Sequence, residues 1–346
     1  MYKHIIRPLL FKVNPETIHH FVVKILKIVF CIPGTKIIAK KVCTINNPSL
    51  KRIVWGLEFD NPVGLAAGFD KDASFFNEIS NLGFSFVEIG TVTPKGQSGN
   101  IKPRSFRIPQ DKALINRMGF NNLGVDEAVK KLKNRSGSVI IGGNIGKNTT
   151  TPNASAVVDY VYTFSKLYPV VDYLVVNVSC PNITDLHELQ DKDSLLAILS
   201  ALREERLKQD KHKPVLLKIS PDLNFAQIDD VLEIIKVTGI DGVVATNTTT
   251  TRTGLSLSEN EIKNIGNGGM SGAPLKNRST DIIRYISQKT DGKLPIIGVG
   301  GIMNPSDALD KINAGATLIQ LYSGFIYEGP MIAKKINKAI LKDLEG

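Results

Sequence analysis

From residue 52 onward, short apolar runs rich in β-formers recur, each followed by a turn and then a helical pattern. They cover residues 63–69, 86–92, 139–146, 173–179, 214–220, 242–248, 295–301 and 318–324. Near-continuous apolar runs of this length read as parallel strands buried on both faces. Between them, segments such as 194–207, 225–238 and 307–314 carry apolar residues at helical spacing. Eight strand-helix units are the number that closes a barrel, so the predicted fold is α/β, a (β/α)8 TIM barrel. A doubly wound open sheet is the alternative. It offers no reason for eight, and the chain lacks a dinucleotide fingerprint at the first strand-helix turn.

The first 45 residues follow another pattern. Asn14-Pro15-Glu16 is a helix start, with an N-cap, a proline at the first position and an acid in the first turn. Ile18, Phe21, Val22, Ile25, Leu26 and Val29 then form one helical stripe opposite His19, Lys24 and Lys27, and Pro33-Gly34 ends it. Shorter apolar-basic pieces flank it at 5–13, interrupted by Pro8, and at 36–42. The expected division is a helical arm over 1–45 and a barrel over 46–346. The arm either packs its stripe on its own barrel or lies as a cap in a membrane interface.

Charge sharpens that choice. Of the net +10, the arm holds eight Lys and Arg against one acid, Glu16, a net of +7, and the body is nearly balanced. This argues against a nucleic-acid face on the barrel and for an arm that meets an anionic surface. No apolar run reaches the ~18 residues needed to cross a bilayer. With 42% hydrophobic residues the chain can bury a sizeable core. Cys31, Cys43 and Cys180 are odd in number and widely spaced, which suggests a reducing setting. No metal is expected, since no cluster has ligand spacing, and there is no Ser-His-Asp arrangement.

In a barrel, chemistry sits at the C-terminal strand ends. Taken in order these are Asp70-Lys71, Thr91, Asn144, Asn177 with Cys180 and Asn182, Lys218, Thr246-Asn247, Gly300-Gly301 and Tyr322-Ser323. In Asn177-Val178-Ser179-Cys180-Pro181-Asn182 a thiol lies between carboxamides, a candidate base or nucleophile beside groups that donate and accept hydrogen bonds. The plainer alternative is a small buried cysteine in a turn. Gly300-Gly301 and Ser323-Gly324 can bring backbone N–H groups to a phosphate, and a further Gly-rich turn is expected at Gly268–Gly272. With Lys218 deeper in the mouth, these suit a phosphorylated cofactor such as FMN.

The segments LAAGFDK (65–71), EIGTVTP (88–94), INRMGFNN (115–122), GGNIGKN (142–148), NVSCPN (177–182), KISPDL (218–223), ATNTT (245–249), GGMSGAPL (268–275), IIGVGGI (296–302) and QLYSGF (320–325) resemble those of dihydroorotate dehydrogenases. The arm is similar to that of the membrane-associated, quinone-reducing class 2 members. The resemblance implies oxidation of dihydroorotate to orotate in pyrimidine synthesis. A base removes the proton on carbon 5, and hydride passes from carbon 6 to nitrogen 5 of FMN and on to a membrane quinone. It assigns FMN to Ala67, Gly68, Phe69, Asp70, Lys71, Thr91, Asn144, Asn177, Lys218, Thr246, Gly272, Gly300, Gly301, Tyr322 and Ser323. It assigns the substrate to Lys71, Asn116, Arg117, Met118, Gly119, Phe120, Asn177, Asn182, Asn247 and Thr248. The base would be Cys180, where class 2 members usually carry Ser and the soluble class 1 members Cys; Ile183-Thr184-Asp185-Leu186 also depart from class 2. The expected setting is peripheral, on the cytoplasmic side of the cell membrane at an anionic lipid surface, with no obligatory protein partner. The alternatives are a class 1 type enzyme using fumarate or NAD, a phosphate-handling barrel without flavin, and a non-catalytic peripheral membrane protein.

Overall fold

The computed structural model describes residues 2–179 and 191–345. Eight parallel strands close a barrel: β1 (Val63–Asp70), β2 (Phe86–Val92), β3 (Ile140–Ile145), β4 (Tyr173–Asn177), β5 (Val215–Ile219), β6 (Gly242–Ala245), β7 (Ile296–Val299) and β8 (Leu318–Leu321). Each pairs with the next in sequence, and β8 closes on β1 through Ile319 opposite Val63. All eight expected runs are barrel strands. The helices expected at 194–207, 225–238 and 307–314 are present as Lys192–Leu207, Phe225–Thr238 and Pro305–Asn313.

Side chains two apart on a strand share a face, and this alternation divides the barrel interior into two zones. At the bottom, Phe86, Tyr173, Leu216, Val244, Ile297 and Leu318 pack into one apolar cluster. Phe59, from the hairpin Arg52–Val54/Leu57–Phe59, closes it from below, its ring 5.3 Å from that of Phe86. Gly64 and Gly142 make room for this plug, because a Cβ would lie 2.4 Å from the Phe86 ring at the first and 2.2 Å from the Tyr173 ring at the second. Burying each such aromatic stabilises the fold by ~1.5–3 kcal/mol. Further up five of the strands the inward residues turn polar: Glu88 follows Phe86, Asn144 follows Gly142, Lys218 follows Leu216, Thr246 follows Val244 and Gln320 follows Leu318.

Two additions were not anticipated. Strands Ser105–Ile108, Ala113–Asn116 and Gly269–Gly272 form an antiparallel sheet, and Lys95–Gln97 pairs with Asn122–Gly124. The Gly-rich stretch expected as a turn at 268–272 is therefore largely a strand, paired Met270 to Ile115. Nothing local in a run of glycines announces such a pairing, since the partner lies some 150 residues away.

The arm comprises α1 (Arg7–Phe11), α2 (Pro15–Cys31) and α3 (Thr35–Cys43). Asn14 caps α2 as expected, its Oδ1 accepting from the N–H of Glu16 and Thr17 at 3.0 and 3.4 Å. The arm is held to the barrel by apolar contacts, with Phe30 and Cys43 in the core and Val23, Leu26 and Ala39 packed against it, and by polar groups. Glu16 pairs with Arg104 at 2.6 Å and Lys102 at 3.3 Å, Arg107 donates to the carbonyl of Val13 at 2.7 Å, and Tyr2 donates to that of Ile326 at 2.6 Å. The helical stripe does not pack as a unit. Val23 and Leu26 touch the core, while Phe21, Ile25 and Val29 stay exposed together with Ile28 and Ile32.

His19, expected on the outer polar face, instead turns inward. Its ring meets Phe69 edge-on at 5.0 Å and lies 5.8 Å from Phe75. Burial, with the Lys71 charge in support, pushes this imidazole down to about 4. A histidine held neutral when folded stabilises fully above its unfolded value of about 6.5. That contribution drains away as pH falls from there to about 4. Docking of α2 is therefore expected to loosen over that interval. Amide exchange across α2 at pH 7 and pH 4.5 measures this, and in His19→Phe the difference between the two pH values should shrink.

Candidate active site

The polar zone of the interior is one connected network. Glu88, fully buried on β2, accepts from Asn144 Nδ2 through Oε1 and from Gln320 Nε2 through Oε2, both at 2.7 Å. Lys218 Nζ stands 4.0 Å from Oε1. Asn144 Oδ1 accepts from Thr91 Oγ1 at 2.5 Å and from Asn177 Nδ2 at 3.3 Å. Asn247 Nδ2 donates to Asn177 Oδ1 at 3.1 Å and to Ser179 Oγ at 3.0 Å. Ser179 Oγ in turn donates to the Lys218 carbonyl at 2.9 Å. Six strands are thus tied together, and pre-organised polar groups of this kind need little rearrangement to meet a ligand.

Above the network opens a cavity of about 1010 Å³, counted to its solvent mouth. Its lining includes the small residues Gly272, Gly300, Gly301, Ser323 and Gly324. Here Gly301 has φ +74°, and a Cβ on it would lie 2.3 Å from Lys276 Cα, so the turn packs directly on the helix Lys276–Lys289. Lys311 lies wholly buried beneath that helix start and donates to the Lys276 carbonyl, Ser279 Oγ and Thr280 Oγ1 at 2.7, 2.5 and 2.5 Å. Burial pushes its ammonium down to about 7. Ser279 Oγ also donates to the Gly300 carbonyl at 2.9 Å, so the buried cation steadies the glycine turn.

The same cavity is lined by Lys71, Asn116, Met118, Gly119, Phe120, Asn177, Asn247 and Thr248. Lys71 Nζ donates to Asn121 Oδ1 at 3.0 Å. Carboxamides and an ammonium around a small volume suit a planar, amide-bearing anion. Apolar walls come from Ala66, Ala67, Val299, Met303 and Tyr322; burial pushes the Tyr322 phenol up to about 12.

The dihydroorotate dehydrogenase family model matches residues 49–344. The chain belongs to that family. A dihydroorotate dehydrogenase (quinone) of Christiangramia forsetii is 53% identical over 343 residues, covering 99% of each chain. One from Cellvibrio japonicus is 48% identical, covering 96% of each. Among solved structures, that of the Eimeria tenella dihydroorotate dehydrogenase in complex with ferulenol superposes with a TM-score of 0.84 at 35% identity, over 96% of this chain and 92% of that one.

Within this dihydroorotate dehydrogenase cavity, most of the residues assigned by resemblance converge. Ala67, Gly68, Lys71, Thr91, Asn177, Lys218, Thr246, Gly272, Gly300, Gly301, Tyr322 and Ser323 line it, as do Asn116, Met118, Gly119, Phe120, Asn247 and Thr248. Four others do not. Asp70 accepts from the N–H of Ser74 and Phe75 at 2.6 and 2.9 Å, fixing the turn after β1, and burial pushes its carboxyl up to about 6. Phe69 packs on His19, Tyr322 and Phe325. Asn144 lies one layer down, in the Glu88 network. Arg117 donates to the carbonyls of Ile265, Asn267 and Pro103 and stacks over Phe106. Cys180 and Asn182 lie outside the described residues. Sequence reading passed over Glu88 and Gln320, each hidden in an apolar run, and Ser271, whose Oγ lies 2.9 Å from that of Ser323. The signal available was a polar residue two places after a bulky apolar one.

Proposed function

We propose that the protein oxidises dihydroorotate to orotate in pyrimidine synthesis, with FMN as its cofactor and a membrane quinone as final acceptor. The observation that carries this reading is a single cavity whose lining combines small glycine and serine positions with a lysine and carboxamides. Its donor set fits FMN. Gly272, Gly300, Gly301 and Ser323 offer little bulk and a hydroxyl where a phosphate would lie, and Ala67, Thr91, Asn177, Lys218 and Thr246 suit the polar edge of a ring. When bound, FMN accepts the two electrons that leave dihydroorotate.

The protein's own groups do the rest. Lys71 attracts the substrate carboxylate, and Asn116, Asn177 and Asn247, with Asn182 assigned by resemblance, match the ring's amide donors and acceptors. Cys180, the class 1 type residue in this class 2 type chain, takes the proton from carbon 5, which the adjacent carbonyl acidifies. Lys218 offsets negative charge that develops across the site. Below the polar network the barrel is closed by the apolar cluster around Phe86 and Tyr173, whose low dielectric strengthens these interactions.

The arm carries the acceptor side of the reading. No helix among the described residues is long and apolar enough to cross a membrane. Exposed Phe21, Ile25 and Ile28 on α2, Ile32 just after it, and Ile37 and Ile38 on α3 lie among the exposed Lys24, Lys36, Lys40 and Lys41. Apolar side chains ringed by lysine suit peripheral attachment to anionic lipid on the cytoplasmic side, and those on α2 share a helix with His19, which abuts Phe69. Turnover of dihydroorotate, with a quinone, fumarate or NAD supplied separately, tests the function. Flavin absorbance in the purified protein should accompany quinone turnover. The triple variant Phe21→Ser, Ile25→Ser, Ile28→Ser should bind anionic vesicles at least tenfold more weakly and reduce long-chain quinone more slowly, with flavin reduction by dihydroorotate unchanged. Equal vesicle binding and quinone turnover would refute the membrane role of the arm.

A further inference from the structure

The mechanism as stated leaves Glu88 without a task. A carboxylate with no exposed surface, in the middle of a barrel, is costly unless charge and hydrogen bonds compensate it. Here both oxygens accept amide donors at 2.7 Å and the Lys218 ammonium stands 4.0 Å away. Replacing such a pair by apolar residues of similar size is often neutral or stabilising. Fold stability alone therefore does not call for it.

Two features tie Glu88 to the site above. The first is charge. Lys218 lines the cavity, and a negative partner at 4.0 Å cancels much of the positive field that it presents there. The second is direction. A carboxylate only accepts hydrogen bonds, whereas a carboxamide can be turned either way. Because Glu88 takes the Nδ2 of Asn144, the Oδ1 of Asn144 faces Thr91 and the Nδ2 of Asn177. Asn177 must then offer its Oδ1 to Asn247 Nδ2, and Asn247 Oδ1 accepts from the Thr248 N–H at 2.9 Å. One buried carboxylate sets the polarity of three successive carboxamides, two of which line the cavity.

We propose that Glu88 is a positioning residue that sets how much of the Lys218 charge reaches the cofactor and fixes which way the Asn144–Asn177–Asn247 relay faces the substrate. The inference rests on the flavin reading above. Removing the negative charge leaves Lys218 uncompensated, so the more negative, reduced flavin is favoured. Turning the end of Glu88 into an amide puts a donor where Asn144 expects an acceptor, and the disturbance runs up to Asn247.

The test uses FMN-loaded protein and reads the FMN reduction potential by dye equilibration and orotate affinity by flavin spectral change. In Glu88→Gln the reduced-to-oxidised ratio at a fixed ambient potential should rise at least tenfold, ~30 mV upward for a two-electron couple, and orotate should bind at least tenfold more weakly. Glu88→Asp keeps the charge but draws it back from the amides, so its potential should stay near the parent's while orotate binding weakens. If Glu88→Gln does not fold, the double variant Glu88→Gln/Lys218→Met removes the stranded charge. Lys218→Met alone should lower the potential, and the double variant should return it towards the parent value. Potential and orotate affinity unmoved in loaded Glu88→Gln, or a double variant no different from Lys218→Met, would overturn the inference alone. A parent protein that takes up no FMN would overturn the flavin reading and this inference with it.

Discussion

Cys180→Ala is expected to slow single-turnover flavin reduction by dihydroorotate by about 10²- to 10⁴-fold, the usual contribution of a positioned general base. The protein should still retain FMN and bind orotate. A thiol has a reference value of about 8.5, so a few per cent is thiolate near neutrality, whereas a serine hydroxyl needs a partner to act comparably. Flavin reduction in the parent should therefore rise with pH through one thiol ionisation. Cys180→Ser should be slower at neutral pH, with that rise displaced upward. Alkylation of the thiol should inactivate the enzyme unless orotate is present. Parent-rate reduction in fully loaded Cys180→Ala would assign proton removal elsewhere.

Lys218→Ala is expected to have the second-largest effect, a loss of about 10²-fold in flavin reduction together with weaker FMN retention, comparable to removing one preorganised charge-stabilising donor. The structure adds a consequence that the sequence did not suggest. Because Glu88 is fully buried and Lys218 is its ion-pair partner at 4.0 Å, the substitution strands a carboxylate inside the barrel. Breaking such a pair from one side costs about 3–5 kcal/mol, and the variant should show a correspondingly lower thermal midpoint. Catalytic and folding losses separate in a single-turnover measurement on fully loaded protein below that midpoint. Undiminished reduction under those conditions would make Lys218 a purely structural group.

Features that depend on near neighbours along the chain were legible in the sequence. Eight apolar runs marked eight strands, and Asn14-Pro15-Glu16 with Pro33-Gly34 bounded α2 at Pro15–Cys31, because capping and periodicity act within a few residues. The polar strand ends were equally legible, since in a closed barrel every parallel strand delivers its C-terminus to the same rim. Other features depend on which way a residue faces and on partners far away in the chain. Glu88 and Gln320 look like interruptions of apolar runs until closure of the barrel turns one face of each strand inward, where two-residue alternation stacks them above Phe86 and Leu318. The arm's apolar stripe was visible, but periodicity cannot say whether a stripe faces protein or solvent; polar anchors such as Glu16–Arg104 hold the helix so that His19 turns inward and Phe21, Ile25 and Val29 outward. Gly269–Gly272 became a strand because Ala113–Asn116 and Thr249 supplied its pairing partners. A pairing across so long a separation is set by the folded surface that brings the two segments together, and glycine contributes no side-chain pattern from which to foresee it.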